Sequence, residues 1–263
     1  MKAKVLSVYD EGSLVRTALI GARGISILID TDGERTLFDT GMRGNYLMHN
    51  MDHLNIDVNT IDRVVISHMH RPHIGGLAAF LERRDAAVNV VAPSRIDMRK
   101  RVLGIQMGKE EIPDGMSGKM NIGVISEWAQ LSDNLFVTGS VPAEAPPAGA
   151  APEAQTEENS LVLMTKKGPV LICGCCHNGI SNVMSFIKER TGKKVAAVIG
   201  GLHTVKMKRT EVHAVADTFA DSGPPELYLN HCTGQTQRTY LREKLGMDAV
   251  KEFYAGTEIS FDI

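Results

Sequence analysis

The sequence predicts an α/β fold, sheets covered by helices, from three observations. Short apolar runs with hairpin signals dominate its beginning. Later runs alternate with amphipathic segments whose apolar residues recur at three-to-four spacing. Several runs also stop at histidine or cysteine, as strands do at an α/β sheet edge that carries a site. One domain over residues 1–263 accommodates all three.

In chain order the strand-like runs are AKVLSVYD, SILIDTDGERTLFDTG, DRVVISH, VNVVAP, NLFVTG, NSLVLMTKKGPVLICG, KVAAVIGG and ELYLNH. Two contain a hairpin: TDGE joins ISILID to RTLFDTG, and TKKGP joins SLVLM to VLICG. The helical segments are GGLAAFLERRD, GISNVMSFIKERTG and RTEVHAVADTFADSG, each ending in charged residues or glycine. Residues 140–158 are rich in Pro, Ala and Glu without an apolar period, which predicts a flexible loop or lid.

At 263 residues the chain is long enough to bury a substantial core, and 43% hydrophobic with 23% charged residues is an ordinary globular balance. A formal charge of -2 gives no electrostatic case for nucleic acid or an anionic membrane. Aromatics at 5% argue against a base-stacking platform, so a small-molecule substrate is the expected partner; a homo-oligomer is compatible with the composition. The start lacks a secretory pattern, and no apolar run approaches the ~18 residues of a membrane span. Cys173, Cys175 and Cys176 crowd together in CGCC, with Cys232 far off. That is a poor disulfide framework and points to a reducing cytoplasm.

The histidines are the informative residues. DRVVISH leads into His68, His70 and His73; GPVLICGCCH ends at Cys175 and His177; VAAVIGGLH ends at His203; ELYLNHC ends at His231 and Cys232. Four strand ends sharing the feature point to a metal, and neutral imidazole suits zinc, iron or manganese. His68 and His70, two apart in an extended segment, point the same way and grip one ion. His73 reaches toward a second position. His49 and His53 have helical zinc-grip spacing but no strand before them, so they read as a solvated helix face. His213 reads as structural.

These residues resemble a known family. SHMHRPHIGGL is similar to the HxHxDH signature of the metallo-β-lactamase superfamily, and TLFDTG with Asp39 to its first motif. GCCHNGISN, GGLH and NHCTG resemble the dihydropterin-related metal-dependent hydrolase branch, the methanopterin-pathway phosphate synthase-like group. The likeness runs in order over nearly the whole chain, weakest between about 83 and 157. It implies an αββα sandwich with its metal site at the sheet edge and one or two metals, usually zinc. It implies His68, His70, His73, Cys175, His177 and His231 as ligands. His231 and His203 are the catalytic candidates, and His203 is left open between metal and substrate.

Pro72 stands at the family's aspartate position. Proline has neither charge nor N–H, so it cannot orient water or bind the second metal. The expectation is one tightly held metal, with the second position empty, weak or supplied by Cys175 or His203. The expected chemistry is attack of metal-bound hydroxide on a small anionic substrate, a phosphate, ester or pterin-related compound. Lys206, Lys208 and Arg209 either steer that anion or form a solvated basic loop. The alternative is a non-hydrolytic metal- or ligand-binding protein, or a thiol-assisted redox or group-transfer enzyme. Of adjacent Cys175 and Cys176, at most one faces the metal.

Overall fold

The computed structural model describes residues 1–94, 118–142, 157–221, 223 and 225–263. They form two compact units. Of the expected loop at 140–158, residues 143–156 lie outside the described residues.

One unit comprises Lys2–Ile125 and Tyr254–Phe261. Its sheet carries β1 (Lys2–Tyr9), β2 (Ser26–Thr31), β3 (Glu34–Phe38), β4 (Arg63–Val65), β5 (Val88–Ala92), β6 (Met120–Val124) and, beside β1, β14 (Glu258–Asp262). Strands β1, β2 and β3 are antiparallel; from β3 onward the pairing is parallel. Asp32 and Gly33 form the first hairpin's two-residue turn at φ 59° and 78°. That is the pair of positive angles a right-twisted two-residue hairpin needs. Helices α1 (Gly44–His53) and α3 (Leu77–Arg83) press Leu47, Met51, Leu77, Phe80 and Leu81 into the core beside Leu37, Val64 and Val90.

The helix expected over 75–85 is observed as α3, from Leu77 to Arg83. A four-residue turn, α2 (Arg71–Ile74), precedes α3. The two glycines between them pass close to another loop. A Cβ on Gly75 would lie 2.4 Å from the Met42 carbonyl oxygen, and one on Gly76 2.1 Å from that of Thr40. Only glycine permits that approach.

The other unit is built on Ser126–Phe253. Its sheet runs β13 (Val250–Glu252), β12 (Glu226–Leu229), β11 (Ala197–Gly200), β10 (Gly168–Cys173), β9 (Leu161–Thr165), β8 (Leu135–Val137) and β7 (Ala129–Gln130). Strands β10 to β13 are parallel, and β7 to β10 antiparallel. The second hairpin joins β9 to β10 as expected. All six residues of β10 and all four of β11 are buried. Helices α4 (Ile180–Thr191) and α5 (Arg209–Asp221) bury Val183, Ile187, Val212 and Phe219 against Leu171, Val198 and Leu227. Helix α6 (Gln235–Leu245) packs beside α5 and β13. Among the described residues no helix is long and apolar enough to cross a membrane.

Candidate metal centre

The first cluster grows from the ends of β3 and β4. Asp39, directly after β3, takes the left-handed conformation at φ 60°, and its N–H donates to the Val65 carbonyl at 2.8 Å. That turn aims its fully buried carboxylate at the loop after β4. Oδ1 accepts the Ser67 N–H at 2.7 Å, and Oδ2 accepts the Ser67 hydroxyl at 2.7 Å. His73 Nδ1 lies 2.6 Å from the same Oδ2. A carboxylate against Nδ1 holds the proton there and leaves Nε2 as the ligand atom. Thr40 tightens the assembly, its N–H and hydroxyl both donating to the His73 carbonyl at 2.7 and 3.0 Å.

His68 is buried and His70 exposed. The Ser67 hydroxyl lies 2.9 Å from His68 Nδ1, and His68 Nε2 faces His70 Nδ1 at 3.0 Å. The rings of His68 and His73 are 4.0 Å apart. The structure therefore brings together all three histidines of SHMHRPH. Pro72 lies in the first turn of α2, where its missing N–H costs nothing. Its carbonyl is used, accepting the Ile25 N–H at 3.2 Å.

The second cluster assembles at the ends of β10, β11 and β12. Cys175 Sγ lies within 4.8 Å of a ring nitrogen of His177 and of one of His231; Cys175, His203 and Cys232 form a set with mutual distances under the same limit. The His177 and His203 rings are 4.1 Å apart. His203 and His231 both adopt left-handed backbone, φ 53° and 46°, as does Cys176 at 60°. Such strain in non-glycine residues persists only where surrounding bonds enforce it. Here the two loops are laced together. The Leu202 N–H donates to the Thr233 hydroxyl, the Thr204 hydroxyl to the Thr233 carbonyl, and the Val205 N–H to the Cys232 carbonyl, at 3.1, 2.8 and 3.0 Å.

Glu158 holds the loop after β10, and no sequence motif announced it. Its Oε1 accepts the N–H groups of Cys175 and Cys176 at 3.1 and 3.0 Å; Oε2 accepts that of His177 at 2.6 Å. Burial pushes its carboxyl up to about 7, against the pull of those three donors. The only sequence signal was an acidic residue just before a strand.

The cysteines separate as expected of adjacent residues. Cys176 lies in the apolar core; its thiol is raised well above the ordinary range by the Cys173 thiol and by burial. Cys232 behaves oppositely. Burial resists its ionisation, but hydrogen bonds from the Cys175 and His203 side chains outweigh this and hold it well below the ordinary range. None of the four cysteines is in a disulfide.

The remaining sequence candidates sort plainly. His49 Nε2 meets the Ala18 carbonyl at 2.8 Å, and His53 Nδ1 the His49 carbonyl at 2.8 Å, so both are surface helix residues. His213 faces Glu243 at 3.4 Å. Arg209 is also paired with Glu243, at 2.8 Å. Lys206 and Lys208 are exposed.

Comparison with known proteins follows the same lines. The family model described as "Metallo-beta-lactamase superfamily" matches residues 23–175. A 7,8-dihydropterin-6-methyl-4-(beta-D-ribofuranosyl)-aminobenzene-5'-phosphate synthase of Methanocaldococcus jannaschii is 26% identical, over 98% of this chain and 96% of its own. An uncharacterized protein of that organism is 29% identical over 84% and 87%. The crystal structure of Tm1679, a metal-dependent hydrolase of the beta-lactamase superfamily, superposes with a TM-score of 0.78, covering 98% of each chain at 24% identity.

Proposed function

Since the chain belongs to the metallo-beta-lactamase superfamily and has its α/β fold, we propose that it is a metal-dependent enzyme, hydrolase-like, acting on a small anionic substrate in the cytoplasm. In this reading His68, His70, His73, Cys175, His177 and His231 hold one or two zinc-class cations. The donor chemistry fits. Nitrogen and sulfur ligands select zinc or iron over magnesium or calcium. The observation that carries the proposal is the facing pair of His68 Nε2 and His70 Nδ1, 3.0 Å apart, beside a His73 fixed by Asp39. Two zinc–nitrogen bonds of about 2.0 Å at a tetrahedral angle put their nitrogens roughly 3.3 Å apart, so the pair needs little movement.

When bound, such a cation acidifies water and polarises a carbonyl or phosphoryl group. The chain's own residues do the rest. Asp39 keeps the His73 proton on Nδ1. His203, exposed after β11, would meet substrate and take or give a proton at its ring nitrogen. Exposed Lys206 and Lys208 favour an anion. Pro72 contributes no carboxylate, so a second cation would be held weakly and water would not be oriented from that position. The phosphate and pterin in the name of the Methanocaldococcus relative support a phosphate-bearing or pterin-related substrate. The low-lying Cys232 thiol favours a second reading, thiol-assisted group transfer on the same fold.

Chelator-stripped protein, reloaded with zinc, manganese or iron(II), should regain hydrolysis of phosphodiester or ester substrates, and His68→Ala should abolish it. Pro72→Asp should raise affinity for a second cation and with it the turnover. If stripping changes nothing, or if no reloaded metal gives turnover, the hydrolase reading fails.

A further inference from the structure

The ligand set above leaves Cys232 without a role. We infer that Cys175, His203 and Cys232 form a thiolate-rich cation site at the ends of β10, β11 and β12. It shares Cys175 with the proposed ligand set and makes His203 a ligand in place of the proton-transfer role given it above, but it does not rest on Pro72 or on the His68–His73 loop.

Four observations carry it. The donor atoms of these three residues lie within 4.8 Å of one another, close enough for one ion to draw them in. His203 offers the Cys232 sulfur its own N–H at 3.2 Å, the kind of backbone contact that supports a charged sulfur. The left-handed turn at His203 brings that N–H to the sulfur, and the His203 ring belongs to the same set. Finally, the chain leaves a space for the sulfur. A Cβ on Gly201 would lie 2.5 Å from Cys232 Sγ and 2.6 Å from the Gly174 carbonyl oxygen. The second glycine of GGLH is therefore the residue that admits the Cys232 thiol. The other two cysteines are excluded by position, because Cys173 and Cys176 belong to the apolar core.

Two thiolates and one imidazole select a thiophilic cation such as zinc, and they leave one tetrahedral position for an outside ligand. That is the coordination pattern of a catalytic zinc, not of a closed structural one. Binding releases the thiol protons, so affinity rises with pH.

Cobalt(II) titration of the metal-free full chain tests the site, since cobalt reports thiolate ligation as a charge-transfer band in the near ultraviolet. The wild type is expected to show the band and Cys232→Ser to lose much of its intensity. His68→Ala/His70→Ala should keep it. Gly201→Ala, which acts on the sulfur only through packing, should weaken zinc affinity about 10-fold to 100-fold, the range of an outer-shell defect. Thermal melts of the metal-free variants control for folding, and native mass spectrometry counts bound ions independently. Absence of the band in the wild type overturns the inference. So does a band unchanged in Cys232→Ser but abolished in His68→Ala/His70→Ala, which would leave Cys175 as the lone thiolate of the ligand set above and the proposed function intact.

Discussion

Asp39 illustrates how one side chain orders a site it does not belong to. Its carboxylate's hydrogen bonds with Ser67 and His73 are fully buried. Asp39→Asn keeps the size and tolerates the left-handed backbone, but removes the charge. It should cost about 1–3 kcal/mol in chemical unfolding. It should also weaken metal binding about 10-fold to 100-fold, because the His73 tautomer is no longer imposed. Glu158 makes a different prediction. Its carboxyl titrates near 7 in the fold against an ordinary 4.5, so between those values the folded chain holds the proton more tightly than the unfolded one. The metal-free protein therefore loses stability as pH rises through that window. Urea unfolding at about pH 5 and about pH 8 should show the decline in the wild type and a flatter profile in Glu158→Gln. Asp39 was legible because its motif is shared with a family. Glu158 was not, because it sits in a TEEN run that looks like surface, and only the fold reveals which backbone N–H groups it meets.

At the scale of elements, the strand ends explain why candidate ligands from distant parts of the sequence meet. Strands β10, β11 and β12 are parallel neighbours, so their carboxyl ends lie along one edge and carry Cys175, His203 and His231 there together. The neighbouring strands pass so close that Gly200, at φ 119°, would place a Cβ 1.9 Å from the Cys173 carbonyl oxygen. Gly200→Ala should destabilise by more than about 1 kcal/mol. By contrast Gly33→Asn, in an open hairpin turn that asparagine tolerates, should cost less, and paired melting curves separate the two. The apolar strands and both hairpins could be read from the sequence because their periodicity and turn residues agree. Helix α6 could not. QTQRTYLREKL has few apolar residues, and its inner face buries Gln237 and Arg238, which donate to the Met207 and Leu229 carbonyls. Strands β6 and β14 were missed for a related reason, since both are largely exposed edges with weak apolar patterns. The GGLAAF stretch was legible as helix, but not that α3 starts only at Leu77, after the two glycines that pass close to Thr40 and Met42.

For the molecule as a whole, composition gave no electrostatic case for nucleic acid or an anionic membrane as a partner and was silent on chemistry. Histidine placement at four strand ends supplied the chemistry, and motif order supplied the family. Superfamily membership places a metal-dependent reaction first without naming its substrate, because one fold serves many reactions. The proposed function requires that metal sit on the histidines of SHMHRPH. Elemental analysis of protein purified without chelator tests it most directly. The wild type is expected to carry at least one equivalent of zinc, iron or manganese per chain, with a clear loss in His68→Ala/His70→Ala. A wild-type chain carrying no transition metal, or a double variant retaining its full content, would contradict it.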